Sequence, residues 1–209
     1  MGEIRLEELS EDEFDILKEL SNIGTGNAAT AISKMLDGKV DINIPVIKFL
    51  NFNELSDELG GAEKEVIGIL VTLEKDVDGM MMFVIDKKSA SVVINGILSG
   101  NQDVTKEPDQ DFSEMDYSVL TDFGNIISGS YLSAIATLTG LVISPSVPAL
   151  AKDMAGAVLS VPATEFGKVG DKVLLIQSVF YSSGHRAEGF FILVPTLDTC
   201  EKMLRKLRF

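Results

Sequence analysis

An acid and an amide one helical turn apart, Glu19 and Asn22, return later in the chain as Asp122 and Asn125. A carboxamide has no pKa useful for proton transfer, so Asn22 is not a general base. It donates and accepts hydrogen bonds together, which lets it orient a water molecule. Positional chemistry of that kind is found above all in phosphoryl hydrolysis, where an amide aligns the attacking water while other groups hold metal and charge. A carboxylate one turn away could grip a cation on a partner. On this logic the pair completes an active site carried by another molecule.

Both pairs sit inside a long repeat. From Asp15 the chain reads DILKELSNIGTGNAATAISKMLDGKVDINIPV, and from Ser118 it reads SVLTDFGNIISGSYLSAIATLTGLVISPSVPAL. A shift of 103 positions aligns the two without a gap, placing Glu19 on Asp122, Asn22 on Asn125, Gly26 on Gly129 and Pro45 on Pro148. A repeat of this length governs every later reading. Ser10 followed by Glu13 is a capping-box pattern that predicts a helix from near Glu11, and Ser113 with Asp116 is a looser copy. Leu17, Leu20, Ile23 and Ala28 then recur at the helical period of a buried face. Asp15, Glu19 and Asn22 form a polar ridge on the outside, matched by Ser118, Asp122 and Asn125. Asn is a poor residue for a helix interior because its amide competes with the backbone, so finding it at the same place twice argues for a purpose.

Composition narrows the partner. The 209 residues include 18 basic and 32 acidic side chains, a formal charge of −14, which argues against nucleic acid or an anionic membrane surface. The sequence contains no apolar run of membrane-spanning length, and the N-terminal MGEIRLEELS lacks the basic-then-apolar build of a signal peptide. Cys200 is the one cysteine and cannot form an internal disulfide. The expectation is a cytoplasmic protein.

Taken in order, the first helix is expected to run to about Met35 and stop at Asp37-Gly38. Val40 to Leu50 reads as a strand that Pro45 interrupts, implying an edge or a bend. Phe52 to Lys64 reads as a loop with a turn of helix near Glu54 to Leu59. Val66 to Leu73 and Gly79 to Ile85 read as a hairpin, and Lys88 to Leu98 as an amphipathic helix. Asn101 to Gln110 is the polar, acidic junction between halves.

The second half repeats the order: a helix over Phe112 to Thr139, a strand over Leu141 to Val147, and a connection from Pro148 to Gly170. A hairpin of Val173 to Tyr181 and Gly189 to Val194 follows, joined by SSGHRAE, with a closing helix near Asp198 to Leu207. The expected fold class is α+β. Two helix-strand-hairpin-helix halves, about residues 10–100 and 113–207 of one domain spanning 1–209, form an antiparallel sheet of about six strands. Helices cover it with pseudo-two-fold symmetry.

Other motifs carry less. Gly24 to Ala29 matches the letters of a dinucleotide fingerprint, but a helix-periodic segment precedes it where a strand is required. Its glycines read better as small residues that let another helix or a docking partner come close. His185 lies in a turn-like stretch with no second metal ligand nearby, Cys200 reads as core, and the run Met80-Met81-Met82 reads as core filler. Without a His or Lys arrangement no serine is marked as a nucleophile. No metal site or cofactor of the chain's own is expected.

At this point the residues resemble a known family. Asp15-x3-Glu19-x2-Asn22-x22-Pro45, repeated as Ser118-x3-Asp122-x2-Asn125-x22-Pro148, is similar to the doubled motif of the CheC, CheX and FliY family of response-regulator phosphatases. Its usual form is Asp or Ser, Glu, Asn and Pro at these spacings. Two motif copies in a chain of this length resemble the CheC-type members. The resemblance implies dephosphorylation of a phosphorylated CheY-like chemotaxis regulator. Asn22 would enter the regulator's acid pocket and position water, Glu19 would pair with the regulator's lysine, and Mg²⁺ would belong to the regulator. It also implies CheD, a receptor-modifying deamidase, as a partner.

The second copy departs from the motif, because Asp122 is one methylene shorter than Glu. A salt bridge that fits Glu would be stretched by ~1.5 Å there, and a displacement of that size costs on the order of 100-fold where positioning is the catalysis. The first site is therefore expected to be the stronger. The other function class that the residues allow is an adaptor that binds CheY-like and CheD-like partners without hydrolysis, one ridge serving only to dock.

Overall fold

The computed structural model describes residues 11–35, 40–98, 110–166, 172–182 and 185–207. Ser10, Asp37-Gly38 and nearly all of the expected junction at 101–110 lie outside the described residues. The elements are α1 (Glu11–Met35), β1 (Val40–Ile42), β2 (Val46–Asn51), α2 (Phe52–Glu58), β3 (Glu65–Lys75), β4 (Gly79–Asp86) and α3 (Lys87–Leu98). The same order then recurs as α4 (Glu114–Thr139), β5 (Ile143–Pro145), β6 (Ala149–Met154), α5 (Ala155–Phe166), β7 (Lys172–Ser182), β8 (His185–Pro195) and α6 (Leu197–Leu207).

All strand pairs are antiparallel and join in one sheet. β1 and β2 both lie on the outer edge of β7, then come β8, β4 and β3, with β5 and β6 both on the outer edge of β3. The eight strands thus occupy six positions, which is the antiparallel α+β sheet expected. Each half lends its edge strands to the other half's hairpin, so the halves interlock. The centre is symmetric: Gly79 and Gly189 stand 110 residues apart, and Met82 pairs across β4 and β8 with Ile192, its own counterpart at that same spacing.

Three details of the sequence reading need correction. Val40 to Leu50 is two strands, and so is the corresponding stretch after α4. The Asn43 amide still donates to the Val179 carbonyl at 3.0 Å, but Pro45 has no amide to continue the ladder. Ser146 donates equivalently to Thr72 at 2.9 Å, ahead of Pro148. The connections expected after these strands contain whole helices. α2 opens on Asn51, whose amide donates to Glu54 at 2.8 Å, and α5 runs through Pro162. The second hairpin is also longer than expected, because His185 to Glu188 belong to β8 rather than to a turn.

Alternation along the strands divides the core in two. Met81, Phe83 and Ile85 of β4 face the cluster under α1, α3 and α4, whereas Met80, Met82 and Val84 face the cluster under α2 and α5. β4 is buried on both sides, so the methionine run is indeed core filler.

Candidate functional site: two exposed helix ridges

α4 begins with the capping box that its sequence implies. The Ser113 amide donates to the Asp116 carboxylate at 2.7 Å, and the Asp116 amide returns a bond to the Ser113 hydroxyl at 3.3 Å. Gly140 ends the helix in a left-handed conformation with φ 68°, its amide bound to the Ala136 carbonyl at 2.8 Å. The helix lies on the sheet. Phe123 packs against Phe83, Tyr131 packs against Phe191, and Gly124 leaves no room for a Cβ, which would stand 2.6 Å from Ile69.

α1 packs chiefly on α4 and along β1. The helices come close at Gly24, where a Cβ would meet the Tyr131 ring at 2.5 Å. Beside it the Thr25 and Tyr131 hydroxyls bond at 2.7 Å, and Tyr131 reaches Ser178 at 3.2 Å. Burial raises the Tyr131 phenol above its ordinary pKa, with the Ser178 and Thr25 bonds acting the other way. The buried face of α1 is accordingly Leu17, Leu20, Ser21, Gly24, Thr25, Ala28 and Ile32, whereas Ile23, expected inside, is half-buried.

This packing turns the two ridges outward. Asp15, Glu19 and Asn22 are exposed on α1, and Ser118, Asp122 and Asn125 are exposed on α4. Among the described residues, none of the Glu19, Asn22, Asp122 or Asn125 side chains takes part in a hydrogen bond or ion pair. Helical spacing brings each acid and amide within ~5–6 Å at their Cβ atoms. Asp15 is held differently, by an ion pair to Lys18 at 2.7 Å that the sequence reading did not consider. Its signal was the three-residue spacing, which the second copy lacks because Ser118 and Thr121 stand there.

The prolines fall in the breaks between edge strands, Pro45 buried and Pro148 half-buried. The residues before them were also passed over, although both copies carry an aliphatic there: Ile44 is 84% exposed and Val147 86%. Gly24 to Ala29 lies inside α1, with helix on both sides, so the dinucleotide reading has no strand to stand on. No group of three metal-ligating side chains occurs among the described residues, and the Cys200 and His185 side chains lie outside them. No described helix is long and apolar enough to cross a membrane.

Known proteins resemble this chain in sequence and in fold. The model of the CheC-like family matches residues 13–48 and 115–151, which contain all eight positions of the doubled motif. Over 197 residues the chain is 36% identical to the CheY-P phosphatase CheC of Bacillus subtilis, covering 93% of each chain. The chain belongs to the CheC-like family. A second B. subtilis relative, the flagellar motor switch phosphatase FliY, is 27% identical over 68% of this CheC-like chain and 36% of its own length. The fold recurs in the crystal structure of Thermotoga maritima FliY, with a TM-score of 0.74 at 22% identity, covering 96% of this chain and 98% of that one. It recurs again in the FliM middle domain from H. pylori, with a TM-score of 0.68 at 10% identity and coverage of 95% and 99%.

Proposed function

We propose that this CheC-like protein is a phosphatase acting on the aspartyl phosphate of a phosphorylated CheY-like receiver. The observation that carries the reading is the pair of outward ridges, each presenting an acid and an amide with no partner among the described residues. An asparagine kept on a helix surface at a propensity cost, twice, in a relative of a CheY-P phosphatase, is best explained by a partner that uses it.

In the proposed reaction the receiver docks on α1, and Glu19 pairs with its lysine. The Asn22 carboxamide enters its acid pocket and holds a water in line with the phosphorus. The new bond from water oxygen to phosphorus forms as the bond to the aspartyl oxygen breaks. The aspartate leaves as a carboxylate, inorganic phosphate is released, and the water's proton passes to solvent. In this reading the metal is the receiver's, and Mg²⁺ bound there would balance the charge on the phosphoryl oxygens. What α1 contributes is orientation of water, the term that a short, fixed amide can supply.

The second ridge has the same exposure and a shorter acid, so it is the weaker site in this reading. The same substitution favours the second reading, in which the α4 ridge docks a receiver without hydrolysing it. A CheD-like deamidase is a further proposed partner, and the cytoplasm, where a receiver would be met, the proposed location. In the domain organisation proposed, 1–209 is one domain of two repeats joined at 101–110.

The test is the lifetime of a phosphorylated CheY-like receiver, maintained with a small phosphodonor and Mg²⁺, in the presence of wild-type protein or Asn22→Ala. Acceleration by the wild type that falls about 10²- to 10³-fold in the variant, with receiver binding retained, supports the phosphatase. A wild type that binds the receiver but never shortens its lifetime, with or without CheD, overturns it in favour of the adaptor.

A further inference from the structure

Glycine inside a helix has three ordinary physical reasons: a positive φ, a neighbour so close that a Cβ would clash, or a kink. α1 contains Gly24 and Gly26, and α4 contains Gly124 and Gly129. Gly24 and Gly124 have the second reason, since a Cβ would stand 2.5 Å from Tyr131 in one case and 2.6 Å from Ile69 in the other. Gly26 and Gly129 have neither of the first two. A Cβ on either would meet nothing within 4 Å, and neither has a positive φ. Both helices continue through them, and the Thr30 hydroxyl holds the Gly26 carbonyl at 3.0 Å.

Glycine is the poorest helix former after proline, so these two positions weaken their helices for a reason the chain's own packing does not supply. They are exposed, and they stand four residues beyond Asn22 and Asn125, on the next turn of the same ridges. That turn lies ~6 Å further along each helix.

We propose that Gly26, and Gly129 in the second copy, are positioning residues for the docked receiver. The missing side chain lets the partner's backbone rest against the helix backbone just past the amide. An asparagine extends only a little beyond its own Cβ, so a side chain on the next turn would stop the partner before the carboxamide reached a recessed phosphoryl group. The identity of the partner rests on the phosphatase reading above; the requirement for close approach does not.

Gly26→Ala and Gly26→Leu in the full chain test this, because both replacements favour the helix. The expected result pairs opposite signs. The thermal midpoint rises or holds, while kcat/KM for the phosphorylated receiver falls about 10-fold for Ala and about 100-fold for Leu, with KM raised. Asn22→Ala, in contrast, lowers kcat with KM kept. Gly26→Leu with wild-type KM and kcat overturns the inference and leaves the phosphatase standing. A wild-type protein with no effect on receiver lifetime overturns the phosphatase instead. The glycines are then decided by titration with a beryllofluoride-loaded receiver. Binding by Gly26→Leu/Gly129→Leu that is weakened 10-fold or more supports their role, and unchanged binding overturns it.

Discussion

α1 and α4 are the same element in the two halves, yet they do different work. α4 lies on the sheet with Phe123, Ile127 and Tyr131 buried against it, capped at both ends. α1 leans on α4 and β1, burying Leu20 and Ile32, and presents only Gly24 and Thr25 where it meets Tyr131 of its neighbour. Their outer faces nevertheless carry the same polar order. The core therefore explains how the buried faces diverged, and it does not explain why the outer faces stayed alike. It also does not explain the exchange of Glu19 for Asp122, because both positions are exposed. A demand made from outside the chain accounts for both facts.

The comparison can be broken most forcefully at the acids. Glu19→Asp gives the first ridge the acid of the second and is expected to lower kcat/KM for the phosphorylated receiver by on the order of 100-fold. Asp122→Glu, measured in an Asn22→Ala background so that only the second ridge reports, is expected to raise activity. No change in either direction would mean that the acid's length does not set the difference between the sites.

A smaller effect separates the buried faces at one equivalent pair. Ser21 corresponds to Gly124 at the repeat spacing of 103. Gly124→Ala forces a methyl into Ile69, and urea unfolding is expected to show a loss of about 1–3 kcal/mol. The Ser21 hydroxyl is buried without a hydrogen-bond partner among the described residues, so Ser21→Ala is expected to gain on the order of 1 kcal/mol. Losses at both positions would show that α1 and α4 pack alike after all.

The smallest expected effect lies away from both ridges, at the start of α3. Burial acts to raise the Asp86 carboxyl, but its bonds to Ser89 and its pairing with Lys64 at 3.1 Å outweigh this and hold it below the usual 3.8. A depressed carboxylate stabilises the fold above its unfolded value, and that contribution is lost as pH falls below 3.8 through the folded value. Asp86→Asn should keep the helix cap yet narrow the difference in urea midpoint between neutral and acid conditions. An unchanged difference would remove Asp86 from the acid response.

Much of this was legible in the sequence because it is local. The repeat, the extent of α1, the capping box at Ser113, the hairpins and the acid and amide ridges all follow from spacing over a few turns. α5 was not legible, and of α2 only a turn near Glu54 to Leu59 was. α2 offers only Leu55 and Leu59 as a buried pair, and α5 contains both Gly156 and Pro162, which read as breakers. The interlocked sheet was hidden for another reason: β2 meets β7 across more than a hundred residues, and nothing near Val46 announces Gln177 as its partner. At the site, Ile23 was expected in the core in place of Ser21 and Thr25. Thr25 is inside because its hydroxyl bonds the Tyr131 hydroxyl, a partner on the other helix that no local apolar pattern announces. The glycines were legible as a class, but only the space around each one separates Gly24, which serves α4, from Gly26, which faces outward.

The central claim is that the asparagine exposed on α1 orients the hydrolytic water and that its counterpart on α4 contributes less. Single-turnover phosphate release from a phosphorylated receiver, compared for Asn22→Ala, Asn125→Ala and the double variant, tests it directly. The expected result is a fall of about 10²- to 10³-fold for Asn22→Ala, no resolvable change for Asn125→Ala in the otherwise wild-type chain, and return to the receiver's own rate when both are replaced. A larger loss from Asn125→Ala, or a double variant that still accelerates release, would contradict it.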